Sequence, residues 1–269
     1  MGYYEYRYNY FLGSDAPLAA ALAGADAVVN AVGILYERGR QRFDAVHVEG
    51  PARLARLAAA AGVRKFVHIS ALSADPHSAS AYARSKAAGE AAVKAAFPAA
   101  TILRPSIVFG PEDDFFNRFA GMTRLSPVLP LIGGGATRFQ PVYVGDVAAA
   151  VLAALDRPEA QGKTYQLGGP EIYSFRALLE LMLAEIGRKR RLVTLSYGLA
   201  AANARFLEWL PKPLLTRDQV KLLQRDNLVE PGALGLADLG ITPTSLMLVL
   251  PTYLDRFRRC DRLKLRPAV

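Results

Sequence analysis

A single cysteine, Cys260, stands among 269 residues, with one tryptophan and three histidines. One thiol makes no internal disulfide and no multi-cysteine metal cluster, which suits a reducing compartment, the cytoplasm in the first instance. No apolar run approaches the ~18 residues that span a bilayer, and no signal-peptide pattern opens the chain, so neither a transmembrane segment nor secretion is expected. Gly133–Gly135 stand together, but no Lys-Ser/Thr pair follows them, so they read as a flexible turn and not a phosphate loop. Apolar side chains are plentiful. At 52% hydrophobic, the chain can build a core for one large domain, or one domain with a small appendage. The net charge of +9 favours anionic partners such as nucleotides, acidic protein surfaces or anionic lipid. Nucleic acid fits poorly, because neither basic run (Arg188–Arg191, Arg256–Arg266) is interleaved with stacking aromatics.

The chain alternates short apolar runs with helical stretches. Ala27–Val32 closes on Gly33 as a buried parallel strand does. A helical stretch from about Gln41 to Ala61 follows, then a strand at Lys65–Ser70 and a helix from Ser80 to about Ala96, stopped by Pro98. Ala100–Arg104 is the next strand, ended by Pro105. Beyond Gly110, residues 113–131 read as a helix and loop. Asp146 is placed to N-cap a helix to Leu155, Thr164–Leu167 is a strand, and Ser174 caps a helix to about Ile186. From Leu192 the pattern is mainly helical, broken by several prolines. This order predicts an α/β domain with a parallel sheet over residues 1–190 and a small, mainly helical C-terminal subdomain over 191–269. Ligands on such sheets bind beyond the carboxyl ends of the strands, which are Asn30–Gly33, Ser70–Ser73 and Pro105–Gly110.

The most suggestive stretch is Ser80-Ala81-Tyr82-Ala83-Arg84-Ser85-Lys86. Tyr82 and Lys86 are four residues apart, so both lie on one helix face. The ammonium is expected to favour phenolate and lower the tyrosine pKa, making a proton-transfer pair. Ser70 or Ser73 would orient a substrate oxygen, with Ser70 preferred at the strand end. His68 reads as packed between apolar neighbours, and His47 and His77 as isolated and solvent-facing.

Tyr82-Ala83-Arg84-Ser85-Lys86 after a serine-ended strand resembles the short-chain dehydrogenase/reductase superfamily, in its extended or atypical, epimerase/dehydratase-like branch. Asp26–Gly33, Arg104–Gly110 and Gln140–Asp146 resemble further landmarks of that superfamily, in its order. Narrower signals are Phe66–Ser70, Pro111–Asp113, Phe115–Phe119, Leu215–Val220 and Asp238–Pro243. They resemble the nucleotide-binding accessory subunit of respiratory complex I and its bacterial relatives.

The resemblance implies a Rossmann-like, doubly wound sheet. It implies catalytic Ser70, Tyr82 and Lys86, and an NAD(P) cofactor, NADP(H) favoured, contacted by Asn30, Ala31, Val32, Gly33, Ser70, Lys86, Pro105, Ser106 and Ile107. It further implies a respiratory-chain complex or an acidic membrane surface as partner, at the inner face of an energy-transducing membrane. An assembly role and an oxidoreductase or epimerase activity are both open.

The superfamily opens with a strand, a Gly-rich turn and a helix whose N-terminus holds the pyrophosphate. No GxGxxG or GxxGxxG occurs here, so an N-terminally truncated sheet with weakened or lost cofactor binding is expected. Its first strand would be Ala27–Val32, left as an open edge, to be paired either by Tyr3–Phe11, whose aromatic and polar residues alternate, or by another subunit.

Overall fold

The computed structural model describes residues 14–211 and 213–258; the stretch 3–11 and Cys260 lie outside them. The longer strands are β1 (Ala27–Asn30), β2 (Lys65–Ile69), β3 (Thr101–Pro105), β4 (Val128–Ile132), β5 (Thr164–Leu167) and β6 (Arg191–Leu195). The helices are α1 (Asp15–Leu22), α2 (Gly50–Ala60), α3 (Ala81–Ala96), α4 (Phe115–Met122), α5 (Val144–Asp156), α6 (Phe175–Glu185), α7 (Tyr197–Leu207), α8 (Arg217–Leu222) and α9 (Leu246–Leu254).

Successive side chains of a strand point to opposite sides, and here each side has its own core. Val28, Phe66 and Ile102 face α2 and α3, together with Leu54, Val93 and Phe97. Val67 and Leu103 face the other way, onto Ala150 and Ala154 of α5. The sheet order is β1-β2-β3-β5, with every pair parallel. Covered on both sides, β2 carries three consecutive buried residues, Phe66, Val67 and His68, as a central parallel strand must. Among the described residues β1 is the edge of this sheet, and Val29 is exposed there.

A second apolar cluster joins Phe109, Phe116 and Leu131 to Phe175, Leu178, Met182 and Leu250. It is built around β4 and β6, which pair in parallel from Arg191↔Val128 to Leu195↔Ile132. The sequence reading missed both strands, taking 113–131 as helix and loop and the chain past 190 as mainly helical. Leu192 and Leu195 are only half-buried and Val193 is exposed, so neither continuous burial nor a clean alternation marks β6. A second correction concerns Asp146. Tyr143 stands at the N-cap of α5, and the Asp146 carboxylate instead accepts hydrogen bonds from the backbone N–H and hydroxyl of Thr244, at 2.7 and 2.8 Å.

Candidate functional site

Helix α3 organises the site. Ser80 caps it by accepting from Ala83 N–H at 3.2 Å, and Pro98 ends it, because the residue before a proline is pushed out of helical geometry. Ala83, Lys86, Glu90 and Val93 recur along its buried stripe. The segment before α2 is a π-helical turn, Asp44–Glu49, that lies against this stripe. Gly89 makes the approach possible: a Cβ there would stand 1.9 Å from the His47 carbonyl oxygen.

His47 is therefore buried, 1% exposed, not solvent-facing as its isolation in the sequence suggests. Its bonds fix its tautomer. Ile34 N–H donates to Nε2 at 3.0 Å, so Nδ1 carries the proton and donates to Ser85 Oγ at 2.8 Å, and that hydroxyl donates to the Tyr82 carbonyl at 2.8 Å. The imidazole edge also meets the Tyr82 ring, centroids 5.4 Å apart. The loop after β1 is thus tied to the tyrosine helix through one side chain. Burial first, and the Lys86 charge second, lower His47 to about 3.

On the neighbouring strand, Asn30 Nδ2 donates to His68 Nδ1 at 3.0 Å, and Asn30 Oδ1 accepts from Val32 N–H at 3.2 Å. His68 is lowered to about 3, by burial and then by Lys86. Its Nε2, and Ser70 Oγ two residues on, are buried without a hydrogen-bond partner among the described residues. Lys86 is buried, and its Nζ donates to the Ile69 carbonyl at 3.3 Å. A Cβ on Gly33 would stand 3.2 Å from that Nζ and 3.7 Å from His47 Nε2. Ala31 and Gly33 are exposed and Val32 half-buried, so the loop forms the outer wall of the Lys86 site.

The expected lowering of the Tyr82 phenol is not found. Lys86 Nζ lies 6.0 Å from the Tyr82 ring centroid, and burial pushes the Tyr82 phenol up to about 12. Lys86 itself is lowered to about 8 by burial, opposed by Glu90 one turn on. Desolvation of the phenol is the cause of its shift. Glu90 is in turn held by Arg104, with bonds of 2.9 and 2.6 Å from Nε and Nη2.

The third expected segment makes internal bonds. The Pro105 carbonyl accepts from Leu72 N–H, Ser106 Oγ donates to Asn227 Oδ1 at 2.6 Å, and the Ile107 carbonyl accepts from Val142 N–H. Ser73 is half-buried on the loop that leaves β2.

Two participants went unseen in the sequence. Asn227 is one. The other is Asp218, at the start of α8, whose carboxylate sits on the N-terminus of α3. It accepts from Ser80 Oγ at 2.6 Å, Ala81 N–H at 2.8 Å and Tyr82 N–H at 3.1 Å. An anion at a helix N-terminus satisfies free N–H groups and complements the dipole. Arg225 to Asp75 at 2.6 Å and Lys221 Nζ to the Ala79 carbonyl at 3.3 Å extend the same contact. A cavity of about 570 Å³ opens beside it, lined by Phe43, Ala81, Trp209, Leu210 and Asp218 among others.

A parallel sheet wound on both faces, with a tyrosine–lysine helix beside the carboxyl ends of its strands, defines a Rossmann-like protein. The chain belongs to the NAD dependent epimerase/dehydratase family, whose profile matches residues 12–168. It is 37% identical over 253 residues to NADH dehydrogenase [ubiquinone] 1 alpha subcomplex subunit 9, mitochondrial, of Arabidopsis thaliana, covering 90% of this chain and 63% of that protein. Against the protein of the same name from Mus musculus it is 35% identical, covering 88% and 63%. The chain thus spans under two thirds of the length of these relatives. Among solved structures, a dTDP-glucose 4,6-dehydratase from Streptomyces venezuelae with NAD bound superposes with a TM-score of 0.65 at 21% identity, covering 91% of this chain and 76% of that one. At that identity the likeness concerns the fold.

Among the described residues no helix is long and apolar enough to cross a membrane, and no group of three or more His, Cys, Asp or Glu is placed to hold a metal ion.

Proposed function

We propose that this chain is a dinucleotide-binding subunit with a structural or assembly role in a respiratory-chain complex, peripheral on the inner face of an energy-transducing membrane. The observation that carries the reading is how Tyr82 and its helix are held by a carboxylate from the far end of the chain. The Tyr82 phenol is pushed up to about 12 with the lysine 6.0 Å from the ring centroid, and the N-terminus of its helix is taken by Asp218. A helix that anchors residues from the far end of the chain is an architectural element. The relatives are by name subunits of a mitochondrial NADH dehydrogenase [ubiquinone], which supports the partner.

Dinucleotide binding is supported by the Lys86 side of the site. Lys86 would hold the ribose hydroxyls beside Gly33, where a Cβ would stand 3.2 Å from Nζ. The unpartnered Ser70 hydroxyl would meet the nicotinamide end, with the backbone of Pro105, Ser106 and Ile107 alongside and Asn30–Gly33 on the adenosine side. Bound NAD(P) supplies a hydride-accepting ring. None of these residues forms a Gly-rich turn for the pyrophosphate, so the binding proposed for them alone is weak. NADP(H) is the favoured form.

A second reading, an NAD(P)-dependent oxidoreductase or epimerase, is favoured by one observation. Ser70 keeps a free hydroxyl near Lys86, which is what a substrate-orienting serine needs. Calorimetric titration with NADPH, followed by Tyr82→Phe, separates the two. The structural reading expects weak binding whose affinity and whose unfolding midpoint are unchanged in Tyr82→Phe. Turnover of a carbonyl substrate that the substitution abolishes would overturn it in favour of the enzyme.

A further inference from the structure

Helix α7 is apolar on two sides. Ala200 and Ala204 are buried in the second core cluster. Leu199 and Phe206 point the other way, 61% and 76% exposed, and just past the helix Trp209 is 89% exposed, with Leu210 exposed beside it. At the helical period Leu199, Ala202 and Phe206 fall within about 60° of one another. Ala202, Arg205, Phe206 and Trp209 frame one surface depression. A helix buried on one side and apolar on the other has a face awaiting a partner.

Charge says which partner. Beside Trp209 the surface carries the cations Arg38, Arg217 and Lys221 and three carboxylates; Glu37 accepts from the Phe43 N–H at 2.9 Å, Asp218 from the first turn of α3 at 2.8 and 3.1 Å, and the third is Glu208. That carboxylate is already bound by the Arg217 backbone N–H and Nε at 2.7 and 3.0 Å. Arg205 makes no ion pair among the described residues. An aromatic-tipped apolar stripe among cations, with no free anion, has the chemistry of a helix lying in a lipid interface.

We propose that α7, with Trp209 and Leu210 just past it, forms a membrane-binding surface for anionic phospholipid, with Phe206 and Trp209 entering the interface and Arg205 meeting headgroup phosphate. The proposal rests on the peripheral placement argued above and names the surface responsible for it.

Trp209 is the one tryptophan of the chain, so its fluorescence reports this surface alone. With phosphatidylglycerol–phosphatidylcholine vesicles the emission shifts to the blue and the full-length protein co-sediments. With pure phosphatidylcholine it does neither, and added salt weakens the binding. Phe206→Ala and Arg205→Glu, both at exposed positions, each weaken it by about tenfold and leave NADPH titration unchanged, so failure here leaves the dinucleotide reading standing. Unshifted emission with anionic vesicles, or binding untouched by Phe206→Ala, overturns the proposal. A Phe206-dependent dimer, or Phe206-dependent binding to a lipid-free protein, without vesicle binding, overturns it as well by giving the stripe a protein occupant.

Discussion

His47 and His68 are held neutral by burial, each lowered to about 3, and the Lys86 charge adds to the effect on both. Both would be protonated in an unfolded chain below pH ~6.5, while the native state refuses the proton. The unfolded state then binds more protons, so stability falls as the pH drops from about 6.5 toward 3. Lys86, lowered to about 8, obeys the same relation at the alkaline end: stability rises between about pH 8 and its ordinary value of 10.5. Urea midpoints measured from pH 7 down to 5 should fall steeply, and His68→Gln should flatten the slope. A slope equal in wild type and variant would show that His68 does not titrate on unfolding. The three histidines also show what a sequence conceals at this scale. The packed setting of His68 is legible from its apolar neighbours in β2. The burial of His47 is not, because it depends on Gly89, 42 positions further on, letting two helical segments touch.

At the scale of elements, two contacts bear on α3. One is the approach at Gly89. Gly89→Ala would drive a methyl group to 1.9 Å from the His47 carbonyl, and separating the two segments should cost about 1–3 kcal/mol. Gly198→Ala, in α7 with no atom near the added carbon, should instead stabilise by about 0.5–1 kcal/mol. Denaturant titration of the pair checks the sign of each. The other contact is the Asp218 carboxylate. Asp218→Ala leaves two backbone N–H groups and the Ser80 hydroxyl without their acceptor, a loss of about 1–3 kcal/mol, which hydrogen exchange should localise to the first turn of α3. Exchange unchanged there would show that water replaces the carboxylate without cost.

Elements of this kind differ in how far the sequence discloses them. β1, β2, β3 and β5, with α3 and α6, are legible because each carries a dense apolar run or a serine cap at its edge. β4 and β6 are not, since each has exposed apolar residues and finds its partner about 60 positions away. The candidate site divides the same way. Tyr82, Lys86, Ser70 and the loop after β1 are legible as motifs at strand and helix ends. Asp218 lies within a stretch whose resemblance was noted, yet its role depends on a fold that brings it 136 to 138 positions back along the chain.

For the whole molecule the dinucleotide is a matter of linkage. A ligand that binds only the native state adds about 2.7 kcal/mol at a hundredfold excess over its Kd. Scanning calorimetry with rising NADPH should therefore raise the unfolding temperature in step with the affinity found by titration. Lys86→Ala should remove that dependence by taking away the ribose contact, and a dependence that survives it would place the nucleotide elsewhere.

The Asp218 contact has a consequence for how this protein is made. A ribosome delivers α3 well over a hundred residues before α8 emerges. Until then the first turn of α3 has Ser80 as its cap but not the distant carboxylate. The site at Tyr82 is thus completed only once α8 has emerged, when most of the sheet can already be in place, and contacts of such long range form slowly. A nascent chain arrested before residue 218 would expose this end of α3 to chaperones, and the emergence of α8 is what closes it.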